Sequence, residues 1–119
     1  MGTILAISSQ VARGHVGLSA AVPALQALGH SVIALPTVML SNHPGHGQVA
    51  GQRIDPALLR QMLATLDGHG WLKDVDAVLS GYLPTAEHVA VVAEAVALVR
   101  QHRPEARYYC DPVLGDDPK

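Results

Sequence analysis

Three short runs rich in β-branched and aliphatic residues, Thr3 to Ile7, Ser31 to Leu35 and Asp76 to Ser80, and a fourth built on two tyrosines, Arg107 to Cys110, alternate with three stretches of helical periodicity. A chain ordered this way has few options. Each strand must reach the next through a helix laid across the sheet, and right-handed crossovers then give an α/β fold: a doubly wound, mostly parallel sheet with helices on both faces. The first run is apolar on both faces, as a central strand covered on two sides requires.

The helical stretches carry their own punctuation. Leu18, Ala21, Val22, Leu25 and Leu28 recur at helical spacing and stop at Gly29, with Pro23 expected to kink this helix or to delay its regular start until about Ala21. Asp55 followed by Pro56 is an N-cap carboxylate with a proline in the first turn, where its missing amide costs nothing. Leu59, Met62, Leu63 and Leu66 give that helix a buried face, and Asp67 to Gly70 ends it. Thr85 caps a third helix with a stripe of Val89, Val92, Val96 and Val99, closed by Pro104, and on it His88 and His102 read as solvated. Gln48 to Ile54 reads as a flap or small edge strand.

Composition narrows the function. At 119 residues, 49% of them hydrophobic, the chain can bury one modest core, which means one domain or part of one. Eight Lys and Arg against ten Asp and Glu, scattered without a run, leave no footprint for nucleic acid or an anionic membrane. No apolar stretch is long enough to span a bilayer, and no charged segment precedes the first strand, so a soluble cytoplasmic protein is expected. Cys110 has no cysteine to pair with and reads as a buried, inert thiol.

In open α/β sheets ligands bind beyond the carboxyl ends of the strands, where loops vary while the scaffold holds them still. Four stretches fall on that edge. Ser8 to Gly17 offers hydroxyls, an amide and glycines, but neither a Walker A loop nor a full dinucleotide fingerprint. Pro36 to Gly47, PTVMLSNHPGHG, breaks from an apolar run into a polar loop with two histidines, which reads as the floor of a small-molecule pocket and which an ordinary βα connection with exposed histidines would also give. Gly81 to Pro84 brings Tyr82, which could cover an aromatic ligand or pack against the following helix. Asp111 to Asp117 groups three carboxylates after a strand, as Mg²⁺ and a polyphosphate require and as a solvated acidic turn would also give. Their common placement argues for a single pocket.

With these residues in view, the chain resembles the N-terminal part of a pyridoxal kinase, of the ribokinase superfamily. Three pieces carry the resemblance: Ser9 with Gly14 to Ala21 (GHVGLSAA), Thr37-Val38 with Ser41-Asn42-His43, and Leu79 to Tyr82 with Cys110 to Asp116. It implies a ribokinase-like fold, here an incomplete domain, with residues 1–119 as the N-terminal part of a single kinase domain. It implies transfer of the γ-phosphoryl group of MgATP to the 5′-hydroxyl of pyridoxal, pyridoxine or pyridoxamine. Ser9 matches the serine that hydrogen-bonds the pyridoxal ring, Val16 an apolar neighbour of that ring, and Tyr82 the tyrosine lying against it. His43 matches the histidine of a substrate loop that Pro44 and Gly45 continue, and Asp111 and Asp116 match acidic residues on the ATP and metal side. A homodimer is implied too, and a monovalent cation is left open.

Three positions depart from the family pattern: Pro44 replaces a frequent threonine, Gln10 a histidine and Leu18 an asparagine. Proline offers neither hydroxyl nor amide proton, so one polar contact is lost, and a hydroxymethylpyrimidine kinase or a non-catalytic B6-vitamer binder stand as alternatives. Family members are roughly twice this length, within the size of one domain. Their anion hole and catalytic base lie in the second half, so the general base is expected beyond Lys119, in a segment that follows the strand ending at Cys110. The 119-residue chain alone is therefore expected to be inactive and to hold no catalytic residue of its own.

Overall fold

The computed structural model describes residues 2–111. Strands β1 (Thr3–Val11), β2 (Ser31–Leu40), β3 (Gly51–Arg53), β4 (Val75–Ser80) and β5 (Arg107–Cys110) make one sheet in the order β3-β2-β1-β4-β5. Helices α1 (Leu18–Ala27), α2 (Pro56–Gly68) and α3 (Ala86–His102) are the crossovers, and a 3₁₀ turn covers Pro44–His46. Among the described residues β1, β2, β4 and β5 are parallel, and β3 alone runs antiparallel, along Val38 to Leu40 of β2. The chain steps from β1 to β2 in one direction and later to β4 and β5 in the other. Right-handed crossovers therefore put α1 on one face and α2 and α3 on the opposite face, the doubly wound arrangement expected.

The main core lies on the α2 and α3 side, where Leu5, Ile7, Leu35 and Val78 of the sheet meet Leu59, Leu63, Val92 and Val99 of the helices. Local chemistry sets the helix ends where the sequence signals them. Asp55 Oδ1 accepts the Ala57 amide at 2.9 Å, and Thr85 Oγ1 accepts the His88 amide at 3.2 Å. Gly29, at φ 92°, closes α1: its amide reaches Gln26 O and the His30 amide reaches Leu25 O, which satisfies carbonyls left open by the helix end.

The structure corrects several expectations. β1 and β2 run on past Ile7 and Leu35 to Val11 and Leu40, so Ser9 and Pro36 are strand residues. Proline is tolerated there because β3 reaches no further than Val38 on one side, while on the other Pro36 pairs Ser8 at a register irregularity in β1. α1 starts at Leu18 without delay, because the Ala20 and Ala21 amides both bond Gly17 O and close the first turn, leaving Pro23 inside the helix. Along that helix only Leu18 is fully buried. On α3 the buried stripe is His88, Val91, Val92, Ala95 and Val99, and Val89 is 53% exposed. An apolar count alone assigns the inner position to valine, whereas packing gives it to a histidine whose two nitrogens are both partnered. Cys110, expected to be buried, is exposed, because among the described residues no strand pairs with the far side of β5.

Candidate functional site

The direction of winding reverses between β1 and β4, so the loops leaving them diverge to opposite faces and a crevice opens at their carboxyl ends. A cavity of about 360 Å³ lies there, lined by Ser8, Gly17, Ser80, Gly81 and Asp111 together with Leu79 and small residues of α1. Its walls approach closely because two residues lack side chains. A Cβ on Gly81 would strike Ser8 Oγ, and one on Gly17, at φ 56°, would strike Ser9 O and Oγ. Glycine is thus required where α1 begins and where β4 ends.

The loop after β4 is held by hydroxyls from two neighbouring strands. Ser8 Oγ accepts the Tyr82 amide at 3.2 Å, and Thr37 Oγ1, itself fully buried, donates to Tyr82 O at 2.8 Å. With its backbone gripped on both sides, Tyr82 leaves its side chain 41% exposed at the ligand edge. Ser8 and Thr37 were not singled out from sequence as holding this loop. The available signal was a threonine hydroxyl inside an apolar strand, which must find a partner if it is buried.

After β2 the chain turns through a loop braced by its own polar side chains. Ser41 Oγ accepts the Ala50 amide at 3.0 Å, and Asn42 Nδ2 donates to the carbonyls of His43 and Gln48. His43 Nδ1 accepts the Gly45 amide at 2.9 Å and so caps the 3₁₀ turn, with Pro44 at the first position, where no amide is needed. Because Nδ1 is the acceptor, the imidazole tautomer carries its hydrogen on Nε2. Its Nε2–H has no hydrogen-bond partner among the described residues.

Three further residues shape the edge. Gln10 Nε2 donates to Ser19 Oγ at 2.8 Å, and Ser19 Oγ donates to Val11 O at 2.8 Å, so Gln10 ties the end of β1 to α1. Tyr108 OH and Ser80 Oγ lie 2.6 Å apart, and although the residue is exposed overall, partial desolvation of its hydroxyl end pushes the phenol above its ordinary value. Asp111 donates its amide to Ser80 O at 2.8 Å, which carries the β4–β5 pairing one residue further and sets its side chain at the cavity.

Among the residues singled out from sequence, Asp111 lines the cavity. Ser9, Val16 and Tyr82 adjoin lining residues (Ser8, Gly17 and Gly81) without lining it themselves, and His43, Pro44 and Gly45 stand on the turn beyond β2. Asp116 lies outside the described residues, and so does Lys119, the position beyond which the general base is expected. Among the described residues no three His, Cys, Asp or Glu side chains converge as a metal-ligand set. Among the described residues Asp111 is the carboxylate that lines the cavity, and one carboxylate is too few to cage a cation by itself.

No family model matches the chain. The chain is 45% identical over 113 residues to the pyridoxal kinase PdxY of Deinococcus radiodurans, covering 95% of this chain and 38% of that protein. It superposes on the pyridoxal kinase of Leishmania donovani solved with ADP and pyridoxamine at a TM-score of 0.92 and 38% identity, covering 98% of this chain and 41% of that one. A putative phosphomethylpyrimidine kinase of Bacteroides thetaiotaomicron superposes at 0.85 with 25% identity, covering 99% of this chain and 39% of that one. The chain thus spans about two-fifths of the length of the relatives it matches. In sequence and in fold it is similar, along nearly its whole length, to the pyridoxal kinases of the ribokinase superfamily.

Proposed function

We propose that residues 1–119 form the N-terminal part of a single ribokinase-like domain, and that the complete domain is a pyridoxal kinase. It transfers the γ-phosphoryl group of MgATP to the 5′-hydroxyl of pyridoxal, pyridoxine or pyridoxamine. The observation that carries this reading is the joint similarity of sequence and fold, over 98% of the chain, to a pyridoxal kinase solved with both ADP and a B6 vitamer. In this reading Ser9 hydrogen-bonds the pyridoxal ring, Val16 is its apolar neighbour and Tyr82 lies against it, and His43, Pro44 and Gly45 form the substrate loop beside it. Asp111 and Asp116 stand on the nucleotide side, where Mg²⁺, when bound, shields the phosphate charge. The general base and the oxyanion donors belong to the remainder of the domain, beyond Lys119, so residues 1–119 alone are inactive. A cytoplasmic homodimer fits this chemistry, and no described helix is long and apolar enough to cross a membrane.

The test is direct: complete protein, MgATP and each B6 vitamer, with the 5′-phosphate as the measured product. Absence of product from all three vitamers overturns the reading. The similarity to a putative phosphomethylpyrimidine kinase favours one second reading, a hydroxymethylpyrimidine kinase, and competition between the two substrates under identical conditions separates them. Asp111→Asn in the complete protein is expected to raise the KM for ATP more than that for pyridoxal, and equal changes would contradict its assignment.

A further inference from the structure

His88 is 2% exposed, and both its ring nitrogens are engaged. Nε2 lies 2.8 Å from Ile54 O, and Nδ1 lies 2.7 Å from Thr85 Oγ1. A carbonyl only accepts, so Nε2 carries hydrogen and donates to Ile54; the Thr85 hydroxyl, which takes the His88 amide, then donates to Nδ1. A leucine would fill this place without the cost of burying an imidazole. What the histidine adds is direction. Ile54 sits in the connection between β3 and α2, and its own amide bonds Thr37 O at 2.9 Å, while the Thr37 hydroxyl holds Tyr82 O. Tyr82 and Thr85 belong to one loop, so the path closes on itself: His88, Ile54, Thr37, Tyr82, Thr85 and back to His88.

We infer that His88 is a positioning residue, which fixes the Gly81–Thr85 loop against the segment returning from the β2–β3 flap and thereby places Tyr82 relative to the His43 turn. Its effect on substrate rests on the proposed function; its effect on backbone order does not. The histidine touches no reacting atom. It fixes the backbone that carries Tyr82 through Ile54 and Thr37, so on the proposed function the pyridine ring feels its loss and the nucleotide, assigned to the Asp111 side, does not.

The test uses the complete protein with His88→Ala, His88→Gln and His88→Asn, and Val99→Ala as a control that trims a fully buried side chain of the same helix. Gln carries its amide donor at the level of Nε2 and can donate to Ile54 O, whereas Asn matches only the Nδ1 position and is too short to reach Ile54. His88→Ala is expected to raise the KM for pyridoxal about tenfold, as small misplacements of positioning groups do, with the KM for ATP unchanged. Val99→Ala is expected to change neither, His88→Gln to restore most of the loss, and His88→Asn to behave as Ala; the Asn and Gln pair decides the matter where Ala does not fold. Hydrogen exchange at the Ile54 and Tyr82 amides should speed up in His88→Ala beyond its rate in Val99→Ala. Parallel rises in both KM values, or equal exchange in the two variants, would overturn the inference. If the unaltered protein phosphorylates no B6 vitamer, the proposed function fails, and amide exchange alone decides the role of His88.

Discussion

The Thr37 hydroxyl donates a 2.8 Å hydrogen bond to the carbonyl oxygen of Tyr82 across 45 residues of sequence. It is the point at which β2 controls a loop that belongs to β4. Because β1 lies between those two strands, the bond spans β1 beside its irregularity at Ser8 to Gln10, and Ser8 secures the same residue by accepting the Tyr82 amide.

Thr37→Val keeps the shape of the side chain and removes that donor. The expected cost is about 1 kcal/mol, the net worth of one hydrogen bond, read as a lower urea midpoint with an unchanged slope. Pyridoxal affinity should fall with it, and an unaltered affinity would show that the Tyr82 loop needs no tether from β2.

The Tyr82 ring is too exposed to carry much stability, so Tyr82→Phe should stay within about 0.5 kcal/mol of the parent protein. Tyr82→Ala should weaken pyridoxal binding up to about tenfold, the range of a ring-on-ring contact, while Phe retains it. Titration of the complete protein with pyridoxal distinguishes the two. Equal affinity in the Ala variant would remove Tyr82 from the substrate side.

Gly17→Ala combines a positive φ with a Cβ aimed at the Ser9 carbonyl. Backbone must move, not merely a flexible side chain, so a loss of more than about 2 kcal/mol is expected, measured by denaturant unfolding. A change below that would mean that α1 can lift from β1 at little cost.

Arg60 bridges α2 to Glu94 at 2.8 Å and Glu87 at 3.1 Å on α3. The bond from Arg60 holds the Glu94 carboxyl below its usual value of 4.5. A depressed carboxylate pKa contributes stability above the unfolded value and loses it as pH falls through the folded one. The difference in urea midpoint between the parent and Arg60→Met should therefore be present at neutral pH, shrink below pH 4.5, and shrink with added salt. A difference independent of pH would assign the role of Arg60 to its aliphatic stem.

Much of this was legible in the sequence because strong local signals agreed with the global fold. Asp55-Pro56, Thr85 and Gly29 mark helix ends through chemistry that acts within a few residues, and the structure uses each as read. The alternation of strand and helix dictates parallel pairing, and the flap or edge strand read over Gln48 to Ile54 contains β3. What escaped was decided over longer range. The strand ends at Val11 and Leu40 depend on each other and on β3, not on the residues nearby. His88 looks solvated on a helical wheel because its two partners, Thr85 and Ile54, are brought to it only by packing. For the site, the shared edge followed from topology, but the grip of Ser8 and Thr37 on Tyr82 needed coordinates.

Among the described residues β5 has a neighbour on one side only, and Tyr108, Tyr109 and Cys110 are all exposed along it. Its outer row of amides and carbonyls is a ready template for another strand. A polypeptide of residues 1–119 produced by itself should accordingly recruit copies of itself along that seam, with light scattering that grows with concentration. Tyr108→Pro, which removes one of the peptide N–H donors, should slow that growth.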